Sequence, residues 1–415
     1  MDNNFKLDLR TLPKEFSFLL EILKMENEDC LRLINNELLI NIDWEKFLDL
    51  AIHHRVYPLI YSKLKKIDEN LVPSEVIKSL YLEYKKNTFQ MLHLSGEMEK
   101  ISKIFNENQI RMLFLKGPVV AADLYGDISL RTSKDLDILI PITDLERATE
   151  LLLNLGYEKV KLAPFEIWKW RNHHETYIHP QKKINIEIHW GLHPRPTIEP
   201  SFNDLWERKR ISSLTNYPIY FLGKMDLYLY LIAHGARHGW FRLRWLSDID
   251  QIIRKRINLE KENAIKGNYE QYHLGKQASL LEGQALILTS QLLNTPINEE
   301  NKILTEGKRS RKLAQNALYY IREMTPVYSA LSEDESPKYF KRNLLSLKSN
   351  LQKSFFINRY LFASKSQLQR FFYILNLFYP KSADVETLVL PNYLHFLYFP
   401  LRPFLWMWRK LVKHT

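Results

Sequence analysis

Several things are scarce in this 415-residue chain, and each scarcity closes a route. A single cysteine, Cys30, rules out an internal disulfide and a cysteine-built zinc site. A lone thiol suits a reducing, cytoplasmic compartment. The opening MDNNFKLDLR has no apolar stretch of the signal-peptide kind. No uncharged apolar run reaches the roughly 18–20 residues that cross a bilayer. Glycine is sparse, at 12 residues, and the long Leu/Ile/Lys/Glu-rich segments point to a mostly helical chain. Acidic residues are nearly missing from one end. From Lys341 to Thr415 there are 12 Lys/Arg against Asp384 and Glu386 alone, so 12 − 2 = +10 of the net +11 lies there. Such a tail seeks acidic partners: nucleic acid, anionic lipid or an acidic protein.

What is present is an ordinary globular composition, 45% hydrophobic and 26% charged, and two short alternating runs that carry the chemistry. In Lys134–Ile140 the residues Leu136, Ile138 and Ile140 share one strand face, and Asp135 and Asp137 share the other. Two residues along a strand is roughly 6.5–7 Å. Paired carboxylates at that distance repel, and are kept where a cation needs two oxygen ligands; a half-buried edge strand with a wet acidic face is the plain alternative. In 184–190, INIEIHW, the apolar Ile184, Ile186, Ile188 and Trp190 alternate with Asn185, Glu187 and His189. If this strand lies beside the first, Glu187 completes a carboxylate triad suited to one or two Mg²⁺ (or Mn²⁺) ions and the phosphates they hold. Upstream, Gly117-Pro118 opens a short helix running to Tyr125, whose exposed N–H groups make a phosphate seat beside Lys116.

The wording Leu115-Lys116-Gly117-Pro118, Tyr125-Gly126, Arg131 and Asp135-Leu136-Asp137 resembles the bacterial "uncharacterised nucleotidyltransferase" family of the polymerase β-like nucleotidyltransferase superfamily. The resemblance spans roughly residues 45–260. It implies an NTP donor, divalent metal on Asp135, Asp137 and Glu187, and a setting in exopolysaccharide or modified-peptide biosynthesis. It departs from the superfamily's usual Gly-Gly or Gly-Ser turn: here Lys116-Gly117-Pro118 precedes the Asp pair, with Asp135 lying 18 residues after Gly117. The resemblance also implies that AHGARHGWFRLRWLSDID (233–250) closes over the nucleotide, with Arg244 a candidate for the phosphates. A structural role, with Asp248 salt-bridged to Arg244, is the alternative. Arg131 can pair with phosphate or hold Asp135.

Along the chain, 15–25 and 44–64 read as helices, with His53 and His54 as packing residues. Ser74 caps a long helix to about Asn106, and its stripe of Ile77, Leu80, Tyr84, Met91, Leu94, Met98, Ile101 and Phe105 is core contact. A strand spans Met112–Leu115. Thr143-Asp144-Leu145-Glu146 reads as a capping box for a helix stopped by Gly156. His173, His174 and His189 can approach the metal, but three carboxylates favour Mg²⁺ over zinc; His234 and His238, four apart, lack the glutamate of a zinc-protease helix. Trp168 and Trp170 precede the histidines. From 201 to about 325 the chain reads as helical, and 326–345 as a linker. The end, with Tyr393, Phe404, Trp406 and Trp408 beside Arg402, Arg409 and Lys410, reads as a membrane-interface segment or as an arm packed back on the body, with a dsRNA or tRNA surface as a third reading.

The expectation is an α+β protein. A small mixed β-sheet nucleotidyltransferase core at 109–200 lies between an N-terminal helical region, 1–108, and a helical domain, 201–325, followed by the linker and basic aromatic arm, 326–415. Its function would be Mg²⁺-dependent transfer of a nucleoside monophosphate to a hydroxyl or phosphate acceptor. Asp135, Asp137 and Glu187 would hold metal, and Lys116, Gly117, Arg131, His189, His234 and Arg244 would hold nucleotide. The acceptor could be a small molecule, peptide, protein or tRNA, with the arm at an anionic membrane on its inner, cytoplasmic face. The alternatives are a non-catalytic nucleotide- or partner-binding module, and a membrane-surface scaffold.

Overall fold

A computed structural model describes residues 5–25, 40–65, 71–160, 173–261, 276–324, 359–377, 379–380 and 382–412. Cys30, Trp168, Trp170 and the 326–345 linker lie outside the described residues. In chain order the elements are α1 (Lys14–Lys24), α2 (Trp44–His53), α3 (Tyr57–Leu64), α4 (Ser74–Glu107), β1 (Leu113–Phe114), α5 (Pro118–Tyr125), β2 (Asp135–Leu139), α6 (Leu145–Asn154), β3 (Glu158–Lys159), β4 (His174–His179) and β5 (Ile184–His189). Then come α7 (Phe202–Glu207), β6 (Arg210–Ser212), β7 (Ile219–Phe221), α8 (Lys224–Arg237), α9 (Leu243–Lys261), α10 (Lys276–Leu293), α11 (Glu299–Thr305), α12 (Lys308–Glu323), α13 (Gln367–Leu377), α14 (Ser382–Thr387) and α15 (Tyr398–Val412).

Among the described residues, seven strands form one mixed sheet in the order β3-β4-β5-β2-β1-β7-β6. Parallel pairings join β2 to β5 and β1 to β7, and the other neighbours are antiparallel. The acidic strand β2 is therefore interior, which removes the wet-edge reading. Its apolar residues Leu136 and Ile138 are wholly buried. The stripe on α4 is buried at Leu80, Met91, Leu94, Met98, Ile101 and Phe105, and the helix crosses β2 and β7. One hydrophobic core runs continuously from Leu7 to Leu361.

Several local expectations are corrected. Residues 44–64 make two helices, because Arg55 turns left-handed (φ 55°) and Pro58 sits in the first turn of α3. Ser74 begins α4 without capping it; Pro73 occupies the cap position. The capping box at 143–146 is replaced by a 3₁₀ turn, and a capping box forms instead at Ser201 and Asp204. Residues 201–325 are not all helical, since β6 and β7 extend the sheet beyond the expected core. Gly156 does end its helix, in the left-handed region at φ 86°.

The C-terminal segment divides. Residues 359–377 pack back on the body: the Tyr360 hydroxyl donates to the Ala236 carbonyl at 2.9 Å, and the Gln369 amide reaches the Pro196 carbonyl at 3.0 Å. In 382–412, Arg402 and Arg409 close on the buried Asp384 at 2.7 and 2.6 Å, while Trp406 and Trp408 are 47% and 62% exposed. No helix among the described residues is long and apolar enough to cross a membrane.

Candidate active site

The parallel ladder of β2 and β5 sets Asp135 opposite Asn185, Asp137 opposite Glu187 and Leu139 opposite His189. Alternation puts Asp137, Glu187 and His189 on one face. Asp137 is fully buried, and its Oδ1 lies 2.9 Å from Lys116 Nζ and 3.3 Å from His189 Nε2. The same His189 nitrogen is 3.3 Å from Glu187 Oε2. These are ion-pair contacts without hydrogen-bond alignment, and Asp137 Oδ2 has no partner. Lys116 reaches this point because the backbone turns at Gly117 with φ 90°, a conformation that glycine adopts without steric cost. Immediately after it, Pro118 starts α5, and the Leu115 N–H donates to the Asp137 carbonyl at 2.9 Å, fixing the turn to β2.

The charges balance locally. Burial pushes against the charge on Lys116, yet the Asp137 carboxylate, with Asp135 and Glu187 behind it, raises its pKa overall. Burial raises the Asp137 and Glu187 carboxyls, but Lys116 chiefly holds Asp137 below its ordinary value, and His189 holds Glu187 at about 2. Burial disfavours imidazolium at His189, and its two carboxylate neighbours more than offset that, so its pKa rises. The surrounding imidazoles go the other way. Burial lowers His173 and takes His174 to about 4; it also depresses His234 and His238.

Two compact donor groups emerge among the described residues: Asp137, Glu187 and His189; and His173, His174 and His189. Within each, ligand atoms lie within 4.8 Å of one another. Asp135 shares the acidic face but belongs to neither group, and its Oδ1 is 3.5 Å from Ser133 Oγ. The buried carboxylate with an unpartnered oxygen, facing a second carboxylate, fits a divalent cation.

Other sequence-derived candidates lie further out. Arg131 is 1% exposed and forks onto Asp248, Nε to Oδ1 at 2.9 Å and Nη2 to Oδ2 at 3.0 Å, with the Tyr125 hydroxyl donating to the same Oδ1. Asp248 thus pairs with Arg131, and not with Arg244 as the structural alternative had it. Arg244 instead donates to the carbonyl and, at 3.3 Å, the hydroxyl of Thr132, and burial beside Arg131 lowers its pKa to about 9. His234 and His238 lie one turn apart at the end of α8: His238 is the cap residue and its N–H donates to the His234 carbonyl at 3.2 Å, before Trp240 turns left-handed at φ 57°. Their rings lie 4.7 Å apart. His53 and His54 pack as expected, and His54 receives the Leu243 N–H on Nδ1 at 3.3 Å, steadying the start of α9.

Sequence reasoning passed over Arg237 and Tyr230 on α8. Arg237 donates to His234 Nδ1 at 3.3 Å, and its Nη1 is buried with no acceptor. Its positive charge helps lower His173, His174, His193 and Lys365, which locates it beside the donor groups. The available signal was the spacing of Tyr230, His234 and Arg237, one helical face opposite the sheet.

No curated protein and no solved structure matches this chain. A family model described as "Uncharacterised nucleotidyltransferase" matches residues 41–293, more than half of the chain, and covers β2, β5, the Lys116-Gly117 turn and α8–α9. The chain belongs to that nucleotidyltransferase family.

Proposed function

We propose that this protein transfers a nucleoside monophosphate from an NTP to a hydroxyl or phosphate acceptor, with Asp137 and Glu187 holding Mg²⁺ and Asp135 assisting from the same strand face. The observation that carries the reading is the direct register of Asp137 on Glu187, with one fully buried carboxylate oxygen left unpartnered. A bound divalent cation would neutralise phosphate charge and favour departure of pyrophosphate. The chain's own residues do the rest. Lys116 and the N–H groups opening α5 face the phosphates, and the unpaired Nη1 of Arg237 supplies a second cation for them. His189 holds the two carboxylates at their spacing. An acceptor oxygen bonds to the α-phosphorus, the bond to the bridging oxygen breaks, and the acceptor proton passes to a carboxylate. Arg131, clamped by Asp248, and Arg244, on Thr132, fix the segment leading into β2. His234 orients Arg237.

The test is thermal unfolding with each of the four NTPs, with and without Mg²⁺, on the wild type and on Asp137→Asn. A ligand at 100 times its Kd stabilises by about 2.7 kcal/mol. A Mg²⁺-dependent upward shift with one NTP, lost in the variant, is expected; wild-type transfer by Asp137→Asn would refute the assignment. A non-catalytic nucleotide-binding module is the second reading, favoured by the position of Asp135 outside the compact donor group. Nucleotide binding without pyrophosphate release would select it.

A further inference from the structure

Beside the carboxylates lies a second donor set, of which nucleotide transfer uses only His189. His174 on β4 is the cross-strand partner of His189 on β5, and His173 precedes it by one residue. The His174 and His189 rings stack at 4.9 Å with 29° between their planes, and His173 closes the triangle at 4.7 and 5.5 Å. His173 and His189 are 8% and 3% exposed. Buried imidazole nitrogens are ordinarily hydrogen-bonded. Here His174 Nδ1 and His189 Nδ1 are buried with no hydrogen-bond partner, while His189 Nε2 faces the Asp137 and Glu187 carboxylates at 3.3 Å. Simple ring packing leaves that unexplained.

We infer that His173, His174 and His189 form a binding site for a borderline transition-metal ion of the Zn²⁺ class, distinct from the Mg²⁺ position and sharing His189 with it. Three imidazoles suit zinc far better than magnesium, which selects hard oxygen ligands. Bonds of about 2.05 Å in tetrahedral geometry put ligand nitrogens about 3.4 Å apart. The donor atoms stand within 4.8 Å of one another, so small ring rotations close the site. Three protein ligands leave a fourth position open, the arrangement of zinc sites that bind an exchangeable ligand. Glu187, 3.3 Å from His189 Nε2, stands at the border of the two positions.

The experiment uses the full chain stripped with a chelator and titrated with Co²⁺, a visible-absorbing substitute for Zn²⁺. One equivalent should bind with the intense bands of a four-coordinate, nitrogen-rich site, be displaced by Zn²⁺, and resist excess Mg²⁺. His173→Gln and His174→Gln should each weaken Co²⁺ binding by more than the roughly 10–100-fold typical of outer-shell partners. Circular dichroism monitors folding of the variants, and the wild-type band intensity decides the matter where a variant does not fold. Failure of the wild type to bind Co²⁺, weak octahedral-type bands, or displacement by Mg²⁺ would overturn the inference. So would binding that survives both histidine variants but is lost in Asp137→Asn, since the ion would then sit on the carboxylates. The nucleotide reading is separately scored: Co²⁺ binding lost in the histidine variants, with no NTP shift in any protein, keeps this site and removes that function.

Discussion

Replacing Asp248 by Asn tests how the helical half of the protein is fixed to the segment leading into β2. Asp248, on α9, is wholly buried and is the fork partner of Arg131, itself 1% exposed, across 117 residues of sequence. The substitution conserves shape and deletes the charge. Arg131 then retains a buried guanidinium whose Nη1 already lacks a partner, close enough to Arg244 to depress that residue's pKa. Breaking a buried pair by removing one partner costs about 3–5 kcal/mol, because the remaining charge is stranded. No discount for solvent applies at these exposures. At roughly 2–4 °C per kcal/mol for a domain of 150–250 residues, the melting midpoint should fall by on the order of 10 °C. Urea unfolding followed by circular dichroism measures the cost. The double variant Arg131→Met/Asp248→Leu removes both charges and should recover most of the loss, since apolar replacements of buried pairs are often neutral. A loss below about 1 kcal/mol in Asp248→Asn, the range of exposed pairs, would refute the picture of a dry ion pair.

Two further outcomes follow from packing and titration. Gly235→Ala should destabilise by about 1–3 kcal/mol, because an added Cβ would lie 2.3 Å from the ring of the buried Trp240; an unchanged midpoint and unchanged tryptophan emission would contradict this. Acidification from pH 7.5 to 5.5 should lower stability. His53, His54, His173, His174, His193, His234 and His238 all have folded pKa values depressed by burial, so the unfolded chain takes up protons near pH 6.5 that the folded one refuses. Each contributes a slope of about 1.4 kcal/mol per pH unit below that point. Glu199, raised by burial to about 7, and His189 oppose the trend but are outnumbered. Urea midpoints that rise on acidification would show the wrong sign.

The parts of the fold that were legible in the sequence are those with a local period. The alternation in 135–140 and 184–190 marked β2 and β5, Gly117-Pro118 marked the start of α5, and the three-four stripe of α4 marked its buried face. Three-residue strands such as Arg210–Ser212 and Ile219–Phe221 carry no such period, and they exist because β1 and β7 pair across the sheet. Burial of the acidic face was also hidden: alternation shows which residues share a side, but not that Lys116 and the imidazoles cover it. The pairing of Arg131 with Asp248 depends on how α9 lies against α5, a tertiary choice between two nearby arginines that spacing does not resolve.

The Tyr360 hydroxyl, which accepts from Gln284 and donates to Ala236, ties α8 to a residue 124 positions further along the chain. Near the other end, Leu7 bonds Gln291 across 284 residues. Contacts this distant in sequence form slowly, since a long loop must close before they stabilise anything. On the ribosome, β2 and β5 emerge with their charged faces well before α8 is pinned above them. The carboxylates and the histidine of β2 and β5 thus precede in synthesis the tyrosine that ties α8 to α10.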